Sequence, residues 1–343
     1  MRQSYRAAGV DIDEAQRAID LIARAAATTA TPAVIGGVGG FGSLFRFDPR
    51  PYPDPVLVAS TDGVGTKLKL AIALGRYDSI GIDVVNHCIN DIAVQGADPL
   101  FFLDYLAVGR LRAEVAAEIV TGIANACAAA GVALVGGETA ELPDLYRNDD
   151  FDLAGFIVGV VAAADVIDGS SVREGDILLG LPSSGLHTNG YSLARRVFGE
   201  DDWSRTAPGL ERTIGEALLE PHRSYLDEIR ILRRALRAAG GDALAFAHIT
   251  GGGWVDNIPR TLPSGLGVAV ELGSWQVPLI FSLIQERGDI ADDEMVRAFN
   301  LGIGLTCVVH PEHEQVARDA LPEASHVGTV VSAAPGSPRV TFA

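Results

Sequence analysis

Lysine is nearly missing from this sequence. Of 27 basic residues in 343, only Lys67 and Lys69 are lysines, and both stand in the stretch GTKLK. One reading is a general preference for arginine that leaves two lysines over. The alternative is that a compact ammonium, not a planar fork, is wanted at that point. Cysteine is sparse too. Cys88, Cys127 and Cys307 form no C-x-x-C pair, which argues against a disulfide scaffold or a zinc ribbon and fits a reducing cytoplasm. No apolar run reaches the ~18 residues of a membrane span, and the opening MRQSYRAAGVDIDE lacks a signal-peptide core. Positive charge is in deficit, for a net charge of −17. Such a field repels nucleic acid and anionic membranes but admits small phosphorylated ligands in local pockets. What remains is ordinary: 48% apolar, 21% charged, and long enough for two domains.

The pattern along the chain is α/β with mixed order. DIDEAQRAIDLIARAAA reads as a helix with Asp11 and Glu14 as a capping-box start. Its apolar face is Ile12, Ala15, Ile19 and Ile22. VLVAST (56–61) is a short apolar strand. Residues 79–95 are helical, with Ile82, Val85, Ile89 and Ile92 turned inward. LFFLDYLAV, VALVGG and LAGFIVGVVAA are strands, and Gly131 closes the helix before VALVGG. The pattern restarts at ILLGLP (177–182), and an amphipathic helix covers roughly 221–240. A boundary is expected near 165–176, giving an N-terminal helix and glycine-rich segment (1–50), one α/β domain (51–168) and a second (169–343).

GGVGGFG (36–42) matches G-x-G-x-x-G through Gly37, Gly39 and Gly42. A dinucleotide fingerprint needs a strand before it and a helix opening at it. Here a helix precedes, and the prolines of FDPRPYPDP follow, so that reading fails. A phosphate-binding loop of the G-K-[ST] kind fails as well, and no helix is expected to open at DGVGTK. The glycines are therefore either a linker or a backbone flap over phosphates.

Carboxylates stand where such phosphates could be met. Asp62 ends a strand between permissive glycines in STDGVGTK. NHCINDIAVQGADP gives a helix a second face of Asp83, His87, Asn90 and Asp91. That face lacks the lysine, arginine and glutamate that usually solvate a helix. GGETAELPDLY supplies Glu138 just after a strand. Asp62, Asp91 and Glu138 could converge on Mg²⁺, which takes one or two carboxylates plus phosphate oxygens and water. SSGLHTNGYS and AHITGGGWVDNIPR are polar loops opening helices. Their His187 and His248 are acid/base candidates, and hydroxyls, Asn189 and backbone N–H groups there suit an anion.

Together SYRAAGVDID, GGFGSLF, STDGVGTKLKLA, IGIDVVNHCINDIAVQGADPLFFLDYLA, LVGGETAELPDLY, SSGLHTNGYSL, HITGGGWVDNIPR and FNLGIGL resemble the aminoimidazole ribonucleotide synthetases, or phosphoribosylformylglycinamidine cyclo-ligases, nearly end to end. The resemblance implies ATP-dependent ring closure of formylglycinamidine ribonucleotide, through phosphorylation of its formyl amide oxygen. It implies a cytoplasmic homodimer that pairs its N-terminal sheets, an active site in the interdomain cleft, and no nucleic-acid or membrane partner. Carried over, Gly37, Gly39, Gly40 and Gly42 form the flap over ATP, with Lys67, Asn90, Glu138 and Thr139 at the nucleotide. Asp62, Asp91 and Glu138 hold Mg²⁺; Asp62, Asp91, His187 and His248 serve the chemistry; Ser184, Gly185, Asn189, Thr250 and Gly251 face the substrate. One departure stands out. In PHRSY (221–225), His222 occupies a position where that family usually has threonine.

Overall fold

The apolar runs fold into two units, each built on its own sheet. The computed structural model describes residues 11–37, 39–147 and 149–343. The segment SYRAAGV at the head of the first motif therefore lies outside the described residues. One unit comprises Met1–Ile92 with Ala97–Ala164, and the other Ala93–Gly96 with Asp165–Ala343.

The first unit begins with α1 (Ile12–Ala27), then β1 (Val34–Ile35), β2 (Leu44–Phe45), β3 (Pro55–Gly63), α2 (Leu68–Leu74) and α3 (Asp78–Ala93). It continues with β4 (Asp98–Val108), α4 (Ala113–Ala130), β5 (Ala133–Glu141) and β6 (Phe151–Ala162). Its four-stranded sheet runs β3-β6-β4-β5, with antiparallel β3/β6 and β6/β4 pairs and a parallel β4/β5 pair. One face lies under helices. A side chain at Gly155 would strike Val84 of α3, and one at Gly159 would strike Ile92. The opposite face keeps large apolar groups in the open, with Leu57 63% and Phe156 43% exposed.

Several expectations change here. Asp11 does cap α1, accepting from the N–H groups of Asp13 and Glu14. Glu14 does not close the box. Its Oε1 accepts from Ala113 N at 2.7 Å, capping α4 instead. Nor is Ile12–Ile19 the inward face: Ala18 and Ala26 are buried, while Ile12 and Ile19 are exposed. Small residues let α1 lie close against its neighbours, which leaves the isoleucines at the flank. VALVGG is the start of a longer strand, so Glu138 and Thr139 lie within β5, not after it. A helix also opens where none was expected, since Gly65–Lys67 is a 3-10 turn leading into α2. Finally, α4 is long and apolar enough to cross a membrane by length and composition. Half of it is buried within the unit, and Glu114 and Glu118 interrupt its surface.

The second unit contains β7 (Ile177–Pro182), α5 (Tyr191–Val197), α6 (Glu200–Trp203), α7 (Ile214–Leu218), α8 (Leu226–Ala238) and β8 (Ala245–His248). There follow α9 (Gly253–Asn257), β9 (Leu266–Val270), α10 (Leu279–Gly288), α11 (Asp292–Ala298), β10 (Ile303–Val309), α12 (Glu314–Ala320), β11 (Ser325–Ser332) and β12 (Val340–Phe342). The sheet order is β12-β9-β11-β7-β10-β8, antiparallel except for β12 with β9. Leu226, Ile229, Leu232 and Leu236 form the buried stripe of α8, at the three- and four-residue spacing of a helix face. This helix is shorter than the expected 221–240, because residues 221–225 are drawn into loop contacts. Ser184 Oγ donates to the Pro221 carbonyl at 2.5 Å, and His222 turns toward His248.

Candidate active site

In the first unit the glycine run is the tip of a small hairpin. Val34 pairs with Phe45 and Ile35 with Leu44, leaving residues 36–43 as the connecting loop. Gly36 and Gly39 adopt positive φ, at +93° and +114°, which favours glycine. A side chain at Gly37, Gly39 or Gly42 would meet nothing within 4 Å, so open space, not close packing, surrounds the loop. Ser43 anchors its base, donating from Oγ to the Val135 carbonyl at 2.5 Å. The loop forms one wall of a cavity of about 350 Å³. Ile19 and Ile22 of α1 give it an apolar side, and Asp104, Glu138 and Thr139 a polar one. Burial pushes the Asp104 carboxyl up to about 7.

Asp62 and Asp91 lie near one another at the other edge of the sheet. Asp62 Oδ2 accepts from His87 Nε2 at 2.9 Å, and its Oδ1 from Gly63 N at 2.7 Å. Burial alone would raise its pKa. The hydrogen bond and charge of His87, with the Gly63 N–H, outweigh burial and hold Asp62 below the ordinary range, although Asp91 opposes them. His87 shows the reverse balance: burial pushes it down, and Asp62, Asp91 and Asp83 together lift it above its usual value. Asp91 Oδ2 accepts from Ser60 Oγ at 3.0 Å. The polar face of α3 is thus an interior face, with Asp83, His87 and Asn90 all buried.

The expected three-carboxylate set does not assemble within one chain. Asp62 aligns across the sheet with Gly155, Asp104 and Gly137, placing it three strand spacings, roughly 14 Å, from β5. Glu138 falls in the next row, on the opposite face, and is exposed. Among the described residues, no metal-like cluster unites Glu138 with the two aspartates. Lys67 is also placed differently from its expected phosphate role. It is fully buried, with Nζ 2.8 Å from an equally buried Asp83. Lys69 pairs with Asp150 at 2.5 Å.

In the second unit, SSGLHTNG loops back on itself after β7. His187 is wholly buried in a left-handed conformation at φ +61°. Its Nε2 accepts from Ser184 N at 3.2 Å. Gly304 makes room for it, since a side chain there would meet His187 Cε1 at 2.5 Å and the Tyr225 hydroxyl at 2.2 Å. His222 and His248 are buried beside it, their Nε2 atoms 2.9 Å apart. Gly185 is buried, and Ser183 Oγ and Asn300 Nδ2 both donate to its carbonyl. Asn189 Nδ2 is a buried donor without a hydrogen-bond partner among the described residues. Thr250 Oγ1 donates to Asn257 Oδ1 at 3.2 Å, and Gly251 lies against Asn189. Sequence reasoning passed over Ser60, Asp104 and Thr188, and treated His87 as incidental. Only His87 left a trace, four residues from both Asp83 and Asp91.

Known proteins sharpen this picture. The N-terminal domain of AIR synthase related protein matches residues 44–161, and its C-terminal domain matches 173–340. A phosphoribosylformylglycinamidine cyclo-ligase of Desulfitobacterium hafniense is 53% identical over 91% of each chain. One of Anaeromyxobacter dehalogenans is 50% identical over 98% of each. Among solved structures, HypE of E. coli superposes with a TM-score of 0.68 at 19% identity, over 96% of this chain and 93% of that one. A hydrogenase maturation protein HypE in complex with ATP gives 0.64 at 18%, over 96% and 90%. Identities this low speak for the fold, which both share with this chain. Since the two family models cover a sheet in each unit and the relatives are half identical throughout, the chain belongs to the AIR synthase related protein family.

Proposed function

We infer that the chain is an ATP-dependent cyclo-ligase of purine biosynthesis. It closes formylglycinamidine ribonucleotide into 5-aminoimidazole ribonucleotide, with release of ADP and phosphate. The observation that carries this is the 50–53% identity to relatives bearing that enzyme's name over 91–98% of the chain.

The assignment of residues is our own reading. Phosphoryl transfer is mostly positioning and charge neutralisation, so it needs no protein nucleophile. We assign the nucleotide to the first unit, with the hairpin loop of Gly37, Gly39, Gly40 and Gly42 covering its phosphates. Glu138 and Thr139 line the cavity below that loop. Asp62 and Asp91 suit Mg²⁺: hard oxygen donors, partly exposed, close enough to oppose each other's charge. Bound there, Mg²⁺ would neutralise phosphate charge. His87 and Ser60 hold the two carboxylates in place, the Lys67–Asp83 pair braces the helix and turn from within, and Asn90 stays assigned to the nucleotide. The phosphoribosyl substrate we assign to the second unit. Asn189 supplies an unanswered donor, Ser184, Gly185, Thr250 and Gly251 the surrounding loops, and His187 and His248 the acid–base capacity. A homodimer, paired through the open face of the first unit's sheet, and a cytoplasmic setting belong to the same reading.

The test combines the purified chain with ATP, Mg²⁺ and formylglycinamidine ribonucleotide, and follows ADP and the aminoimidazole. Turnover is expected, and Asp91→Ala should reduce it at least about a hundredfold while staying soluble. ATP binding without product would favour a nucleotide-binding protein that has lost catalysis. Near-normal rates in the variant would remove Asp91 from the metal site.

A further inference from the structure

The cavity beside the glycine hairpin holds a side chain that the fold leaves unanswered. Asp104 of β4 is 7% exposed and lines that cavity. Among the described residues, its own backbone N–H is the one hydrogen-bond donor that reaches its carboxyl. Gly137 pairs with it across β5, and a side chain there would come within 2.2 Å of Asp104 Oδ1. The bare glycine lets the carboxyl lean over β5 into the cavity.

No lysine, arginine or histidine stands among the described residues of the cavity wall. From α1 come Ile19, Ile22 and Ala26, and the hairpin loop brings glycines, Phe41 and Ser43. Glu138 of β5 is the other carboxyl there, and it is exposed. From α4, the Cys127 thiol feels the Asp104 charge, and burial keeps that thiol protonated. A buried carboxyl with no cation to match it holds its proton, and Asp104 is pushed up to about 7.

A lone carboxyl could await a metal, but Mg²⁺ and Ca²⁺ need several oxygens. Among the described residues, no metal-like cluster includes Asp104. A hydrogen-bonding ligand suits it better. A protonated carboxyl presents one donor and one acceptor side by side, as a primary amide does. That pair complements a ring nitrogen next to an exocyclic amine. The apolar wall makes a second demand, since Ile19 is 48% exposed and Ile22 only half-buried. A flat ring laid on them would take that surface from water. Adenine meets both demands, with apolar faces and an N6 amine beside a ring nitrogen, the edge that an asparagine amide reads.

We propose that Asp104 is a specificity-determining residue that reads the adenine base of ATP, accepting from the N6 amine and donating to the adjacent ring nitrogen. The inference rests on the assignment of the nucleotide to the first unit, at the hairpin loop. Its test is binding to the full-length chain at pH 6 with Mg²⁺ and no substrate, read by titration calorimetry. The probes are ATP and purine riboside triphosphate, which carries hydrogen in place of the amine. The wild type should prefer ATP at least about tenfold. Asp104→Leu should bind the two within about twofold of each other. Asp104→Asn, whose amide keeps one donor and one acceptor, should retain the preference.

Equal affinities in the wild type, or a tenfold preference that survives in Asp104→Leu, would overturn the proposal. So would loss of the preference in Asp104→Asn, which would mean that the amide pattern is not what is read. Should Asp104→Leu fail to fold, the wild type and Asp104→Asn decide. A wild type that binds ATP without preferring it defeats this inference alone, whereas one that binds no ATP defeats the nucleotide assignment and this inference with it.

Discussion

Burial at Asp104 stabilises the protonated carboxyl, pushing it up to about 7. Its neighbour across the sheet is Gly137, where an added side chain would come within 2.2 Å of Asp104 Oδ1. Because the folded state binds this proton more tightly than the unfolded chain, the contribution has a definite sign. It favours folding below the ordinary carboxylate range, declines as pH rises from about 4 to about 7, and is level above that. Asp104→Asn mimics the protonated form. It should raise stability by roughly 1–1.5 kcal/mol at pH 5 and by more, on the order of 3–4 kcal/mol, at pH 8. Thermal unfolding at the two pH values checks this, and a variant equally destabilised at both would refute it. Lys67 teaches a related lesson. Its scarcity marked it as special, and the structure places it in a fully buried pair with Asp83. Removing one partner of such a pair leaves a buried charge unanswered.

At the scale of elements, the hairpin of β1 and β2 is the piece whose behaviour matters most. Its tip is glycine-rich, has positive φ at Gly36 and Gly39, and shows Phe41 fully to solvent. Chymotrypsin should therefore cut after Phe41 in the free protein. Saturating ATP and Mg²⁺ should slow that cut tenfold or more if the loop closes over phosphates. Equal cleavage rates with and without nucleotide would leave the run as a joint. The elements themselves were largely legible. Helices α3 and α4 and strands β3, β4, β6 and β7 follow their apolar period to within about three residues. Their ends were not. β5 runs on through GGET because β4 offers it a parallel partner, and α8 starts late because Pro221 and His222 are held by the site loops. Partners from distant sequence decide such boundaries, and local period carries no record of them.

For the whole molecule, the question is what covers the open face of the first sheet. Leu57 and Phe156 share that face and are 63% and 43% exposed, and among the described residues β3 presents an unpaired edge. Apolar surface of this kind beside a free edge invites a partner. A second copy is the expected occupant, so light scattering should report twice 36.0 kDa. Phe156→Asp should shift the protein toward monomer and lower turnover with it. A monomeric wild type at micromolar concentration would exclude the homodimer. The net charge of −17 sets a limit here, since like-charged copies associate only where apolar contact outweighs repulsion, and added salt should strengthen the dimer.

The sequence by itself determined the two α/β halves, the family resemblance and the loops that bear polar groups, because period, glycine placement and motif order are local properties. It also marked Asp62, Asp91, His187 and His248 as side chains worth watching. Only the tertiary structure decided which of them meet. Asp62 and Asp91 do, with His87 and Ser60 holding them, whereas Glu138 lies three strands away on the other face. His222 looked like a stray substitution until the fold set it between Thr188 and His248. Strand order and register fix distances between residues far apart in the chain. They arise from the packing of a whole sheet and not from any one stretch of it.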